Sequence, residues 1–208
     1  MRKFDLSLGL ATRIRRLNFE HQIQSHLPNL YRIARGIVDQ ASDAEDLVHD
    51  SCVKALTSFD TAEFSSEAQL RGWLNRILIN TYRDKYRRAQ RAPVRPLEYH
   101  ATSDDRQNVV ELVPSADHTP LQSIEHRDSS RAIEHAIAAL PPEVRVVSVL
   151  FLINGQSYKD IAYVTDCPVG TVMSRLSRGR ELLKRHLADF DLTNASYTTS
   201  RVSGGDEV

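Results

Sequence analysis

Cysteine is nearly absent. Cys52 and Cys167 are the two in a chain of 208 residues, and they stand far apart. No disulfide framework or cysteine-pair metal knuckle is encoded, so free thiols in a reducing compartment are expected. Long apolar runs are missing too. No stretch approaches the roughly 18 residues that span a bilayer, and no membrane insertion is expected. The opening segment, MRKFDLSLGLATRIRRLNF, is basic but holds no continuous apolar stretch before a cleavage site. It does not read as a secretory leader, so a cytoplasmic protein is expected. The eight glycines form no phosphate-cradling loop. The histidines His118, His126 and His135 lack the i, i+4 spacing of a helical zinc pair. With no nucleophile triad either, no enzyme, cofactor or metal is expected. Alternating strand patterns and internal repeats are also lacking.

Net charge is the last absence: 27 Lys and Arg balance 27 Asp and Glu. The balance hides segregation. Asp39 to Glu67 holds eight acids and one base, whereas Arg71 to Arg91 holds seven bases and one acid. Salt screens charges beyond about 10 Å, so local fields decide binding. The chain is expected to offer an acidic surface to one partner and basic surfaces to another.

What is present is helical periodicity. Residues 1–18 read as a loosely held basic extension. A first helix is expected from about Phe19 to Val38, with Ile23, Leu27, Leu30, Tyr31, Ala34 and Ile37 on its apolar side, and with Pro28 marking a kink or a later start. Ser42 and Glu45 form an S-x-x-E capping box for a second helix to about Leu56, with Leu47, Val48, Cys52 and Ala55 inward. A third runs from about Gln69 to Arg88, burying Leu70, Trp73, Leu74, Ile77 and Thr81. On its other side Arg76, Asn80, Arg83 and Arg87 recur at intervals of four, three and four. An Arg/Asn stripe near aromatic residues suits melted or single-stranded nucleic acid. Residues 19–91 thus form one domain. Residues 92–122, with Pro93, Pro96, Pro114 and Pro120, read as an acidic, flexible linker. Residues 123–190 form a second helical domain, broken at Leu140-Pro141-Pro142 and stopped at Asn154-Gly155. Residues 191–208 read as a disordered tail.

The second domain carries the sharpest signal, SYKDIAYVTDCPVGTVMSRLSRGRELLKRHL over Ser157 to Leu187. Ser157 and Asp160 form an S-x-x-D start, Thr165 to Cys167 interrupt the pattern, and Pro168 suits the start of another helix. Val172, Leu176, Gly179 and Leu183 make the buried stripe of that helix. Thr171, Ser174, Arg175 and Arg178 project elsewhere, as residues able to reach base edges and phosphates. This is a helix-turn-helix, whose second helix enters the major groove.

Taken in order, these motifs resemble the extracytoplasmic-function (ECF) group of bacterial RNA polymerase sigma factors. DAEDLVHD at Asp43 to Asp50 is similar to the family's acidic motif, with His49 where Gln is usual. GWLNRILINTYRDKYRR at Gly72 to Arg88 matches its Trp-Leu…Ile…Asn…Arg pattern. LPPEVRVVSVLFLINGQSYKDIA and CPVGTVMSRLSRGRELL match the promoter-reading domain, with Met173 where many relatives have Lys or Arg. The resemblance implies an all-α fold: a sigma region 2-like bundle and a region 4-like helix-turn-helix, joined by the linker. It implies that Asp43, Glu45, Asp46, Leu47 and Asp50 bind core RNA polymerase. Phe64, Trp73, Arg76, Asn80, Arg83 and Arg87 would serve the promoter −10 element, with the loop Ser58 to Ala68, which holds Phe64, offering a pocket for a flipped base. Thr171, Ser174, Arg175 and Arg178 would read the −35 element. It also implies an anti-sigma partner and a stress-responsive role. A helix-turn-helix regulator acting without polymerase would leave the acidic helix and the Arg76/Asn80/Arg83 stripe unused. A sigma mimic titrating an anti-sigma factor would be expected to have lost its basic faces.

Overall fold

A computed structural model describes residues 3–58, 64–91 and 131–202, with side chains over 13, 15–58, 64–91 and 131–188. The described residues are helical throughout, joined by short turns. Helix α1 spans Lys3–Ile37, α2 Ala41–Thr57 and α3 Glu67–Arg91. Residues 131–138 form α4. Then come α5 (Pro142–Ser148), a π-helical turn (Val149–Ile153), α6 (Tyr158–Thr165) and α7 (Val169–Val202). The expected linker over 92–122 lies outside the described residues.

Three boundaries differ from the sequence reading. Helix α1 begins at Lys3 rather than near Phe19. Residues 3–18 carry one glycine, no proline and many Leu and Arg residues, which are strong helix formers. Pro28 does not end or delay this helix. Its exposed ring forfeits one backbone bond, while Leu30, Ile33, Ala34 and Ile37 beyond it are buried and hold the helix in place. Helix α7 continues to Val202, through the segment expected to be a disordered tail, because no glycine or proline occurs between Gly179 and Gly204.

The caps divide. Ser157 caps α6 as expected: its hydroxyl accepts from the Asp160 backbone N–H at 3.2 Å. The Ser157 hydroxyl also lies 2.6 Å from the Asp160 carboxylate. The Ser42–Glu45 box does not form. Helix α2 starts two residues earlier, with Gln40 rather than Ser42 at its N-cap and no side-chain cap bond, which puts Ser42 inside the first turn. The stop at Asn154-Gly155 is made by Gly155 at φ 63°, while the Gln156 N–H reaches back to the Leu150 carbonyl at 3.0 Å. Asp166, at φ 52°, makes the tight turn between α6 and α7. Aspartate tolerates this left-handed geometry better than most residues.

Helices α1, α2 and α3 pack on one another, α5 and α6 pack with α7, and the π turn packs with α5 and α6. The two halves are not separate. Helix α3 lies against α6, and α1 against α5 and the π turn, so one apolar cluster runs from Leu30, Ile33 and Leu78 to Val149, Leu150 and Val172. Gly36 makes the closest approach. A Cβ there would meet the Val149 methyls at 2.7 and 2.9 Å. Arg145 closes one end of this seam by donating to the Ile37 carbonyl at 3.2 Å and to Asp39 at 3.1 Å. Overpacking of a tight contact costs about 1–3 kcal/mol. Gly36→Leu is therefore expected to lower unfolding free energy by about 2 kcal/mol, measured by urea denaturation, and to part the seam at Val149.

Candidate nucleic-acid interface

The acidic helix presents part of its charge as expected. Asp43, Glu45 and Asp46 are exposed on α2. Asp50 is committed within the chain: its carboxylate lies 2.8 Å from Lys85 Nζ on α3. The hydrogen bond from Lys85 holds the Asp50 carboxyl below the usual range, against the smaller opposing effect of burial. Lys54 and Asp84 make a looser cross-link between the same helices at 3.5 Å. Leu47 corrects the sequence reading. It is 1% exposed, so it anchors α2 in the core and cannot touch a partner.

Sequence periodicity missed a groove beside these acids. About 660 Å³ lies open between α1 and α2, lined by Ile23, Leu27, Tyr31, Val48, Cys52 and Leu56, with Glu45 and His49 among its polar residues. The apolar pattern places Ile23, Leu27, Tyr31, Val48 and Cys52 in the interior. Yet α3 covers only part of the α1–α2 surface, and Leu27 stays 36% exposed. Burial pushes the Cys52 thiol up, so it is protonated at neutral pH.

The aromatic candidates form a cluster. The Phe64 and Trp73 ring centroids lie 5.0 Å apart, and Phe19 stacks on Phe64 at 6.3 Å. Trp73 is half-buried, packed against the core and still facing a cleft of about 800 Å³. Phe64, Trp73 and Asn75 line that cleft from one half, and Gln156, Asp160 and Tyr163 from the other.

The basic stripe on α3 splits. Asn80 and Arg87 are exposed. Arg76 and Arg83 are turned into the seam. Arg76 donates to Asp166 at 3.1 Å and lies over the Tyr163 ring at 5.1 Å from its centroid. Arg83 donates to the Thr165 carbonyl at 2.8 Å and to Glu143 Oε2 at 3.0 Å.

Helix α7 keeps the expected two faces. Val172 and Leu176 are buried, and Gly179 sits under the Ser148 hydroxyl. Ser174 and Arg178 are exposed, and Thr171 is half-buried. Arg175 is held: it pairs with Glu143 Oε2 at 3.1 Å and approaches Cys167 Sγ at 3.8 Å. Glu143, Arg145 and Asp39 were not singled out from sequence. Arg83 lies 60 residues from Glu143 and Asp39 lies 106 from Arg145, and no local spacing encodes such pairs.

Residues 22–92 match Sigma-70 region 2, and residues 130–183 match Sigma-70, region 4. The chain is 30% identical over 172 residues to the ECF RNA polymerase sigma factor SigM of Mycobacterium tuberculosis, covering 83% of this chain and 78% of SigM. The chain belongs to the ECF RNA polymerase sigma factors. The ECF sigma factor SigE of Mycolicibacterium smegmatis is 30% identical over 171 residues, covering 82% of this chain and 62% of SigE. Among solved structures, the sigma factor RpoE in complex with the anti-sigma factor NepR from Bartonella quintana aligns with TM-score 0.59 and 26% identity. That alignment covers 82% of this chain and 97% of RpoE. As an ECF sigma factor the chain is a DNA-binding protein of transcription initiation. Among the described residues, no helix is long and apolar enough to cross a membrane.

The Asp50–Lys85 pair yields a pH test. A depressed folded-state value means that Asp50 adds stability above its unfolded value of about 3.9, lost as pH falls through the folded value. Lys85→Met is expected to return the Asp50 titration midpoint, followed by carboxyl NMR, to the ordinary aspartate range. An unmoved midpoint would assign the depression to another neighbour.

Proposed function

We propose that this sigma factor docks on core RNA polymerase through α2, that its −10 contacts come from α3 and the cleft beside it, and that α7 reads the −35 element. The observation that carries this is the coexistence on one small chain of three unlike surfaces. They are an acidic helix beside an apolar groove, a basic helix beside an aromatic cleft, and a basic helix after a capped tight turn. A regulator that only bound duplex DNA would need the last alone.

Asp43, Glu45 and Asp46 supply the docking charge, and the groove of Leu27, Tyr31 and Val48 supplies apolar contact. Opposed charges orient and speed such encounters more than they deepen them. Asp50 contributes less, because Lys85 already holds it. On α3, Asn80 and Arg87 stand ready for backbone phosphates, and Arg76 and Arg83 join them when the seam opens. A base flipped from the displaced strand costs a few kcal/mol of unstacking, which the Phe64 and Trp73 rings of the cleft offset by stacking. On α7, Arg178 and Ser174 face the groove directly, with Thr171 and Arg175 beside them. The protein makes and breaks no bonds, and its place is the cytoplasm, where polymerase and promoters are. An anti-sigma protein is its expected negative partner, and release under stress its expected control.

Run-off transcription with core polymerase on genomic promoter fragments tests the reading. A transcript from a discrete start should require this protein and disappear with Asp46→Arg. Specific duplex binding with no such transcript would replace the sigma reading with that of a polymerase-independent regulator. Arg178→Ala should weaken −35 duplex binding by about 1–3 kcal/mol, read by fluorescence anisotropy. An unchanged affinity and promoter preference would remove Arg178 from the reading set.

A further inference from the structure

Two arginines from the two proposed DNA-reading helices end on the same atom. Arg83 of α3 lies 3.0 Å from Glu143 Oε2, and Arg175 of α7 lies 3.1 Å from it. Their side chains are only 16% and 26% exposed, so both guanidinium groups are withdrawn from solvent. Around this point, the Thr165 carbonyl takes a second bond from Arg83, and Asp166 holds Arg76.

Promoter geometry forbids this arrangement on DNA. Elements centred at −10 and −35 are about 25 base pairs apart, or about 85 Å at a rise of 3.4 Å per pair. One carboxylate cannot serve both readers across that distance. We propose that Glu143 is an internal latch: its carboxylate occupies the place of a DNA phosphate between Arg83 and Arg175, and so holds the free sigma factor in a closed form that cannot engage a promoter. This rests on the proposed roles of α3 and α7. The exchange is electrostatic. An arginine fork binds carboxylate and phosphate with the same geometry, so the latch and DNA compete for the same donors. The partner that opens the latch is a polyanion, promoter DNA itself, once polymerase has drawn α2 and its half away.

Glu143 is half-exposed on α5, makes no contact with the cleft or the groove, and belongs to none of the proposed contact sets. The full chain carrying Glu143→Gln keeps size and shape at this position but loses the charge. By small-angle X-ray scattering its radius of gyration should exceed that of the parent. Its affinity for a −35 duplex without polymerase should rise about fivefold. The duplex probe is one whose promoter the holoenzyme transcribes, and run-off by that holoenzyme should stay within about twofold. A folded Glu143→Gln protein with unchanged radius and unchanged duplex affinity overturns the latch. An enlarged radius without a gain in affinity overturns its inhibitory role. Should the variant not fold by circular dichroism, the parent decides. Screening shortens as salt rises, so its radius should grow between about 0.1 and 0.5 M NaCl, and a constant radius overturns the proposal. If no promoter is transcribed, the scattering arm still reads the latch, whereas the sigma reading itself has failed.

Discussion

Everything in the closed arrangement depends on the place where α1 has no side chain. Gly36 lets the Val149 methyls come down onto the helix backbone, and Val149, Leu150 and Val147 join the same apolar interior as Ile33 and Leu78. The ion pairs around this seam are partly exposed, and such pairs are individually weak. Apolar contact and these pairs hold the halves together jointly, and the charges set the direction of approach. Arg145 reaches across to Asp39 and Ile37, while Arg76 and Arg83 reach the opposite way to Asp166, Thr165 and Glu143.

That division of labour explains how a chain of zero net charge can handle nucleic acid. Its acids are not a neutral background. Asp50 and Asp84 pair across the α2–α3 contact, Glu143 and Asp166 sit against the arginines of α3, and Asp43, Glu45 and Asp46 are left to face outward. Among the described residues, exposed cationic side chains include Arg87 and Arg88 on α3 and Arg178 and Lys184 on α7. A protein balanced in this way has little long-range pull on DNA until its internal pairs are exchanged.

Local features were legible in the sequence, and long-range ones were not. The Ser157 cap, the Gly155 stop and the buried stripe through Val172 and Leu176 each follow from neighbours within a turn or two, and each stands where periodicity put it. Pro28 and Ser42 mislead because their signals are also local and weak. The buried side chains of Leu30 and Ile33 after Pro28 outweigh the lost bond, and a helix start displaced by two residues turns a capping serine into an ordinary first-turn residue. Leu47 was assigned both to the interior and to a partner surface, and burial decides for the interior. The pairing of Glu143 with Arg83 and Arg175 has no signature of spacing. It exists only once α3, α5 and α7 are brought together, and the same holds for the groove that α1 and α2 form between them.

The π turn at Val149–Ile153 has a consequence for the whole second half. Such a turn holds one residue more than the α-helical turn it replaces. Each residue of an α-helix advances the chain by about 100° around its axis. With one residue fewer the turn would close as ordinary α-helix, and α6 and α7 would be swung by about that angle relative to α5. Exposed Leu152 would be carried toward a different side. The bearing of α7 relative to α3 is thus a matter of phase, carried by a single surplus residue.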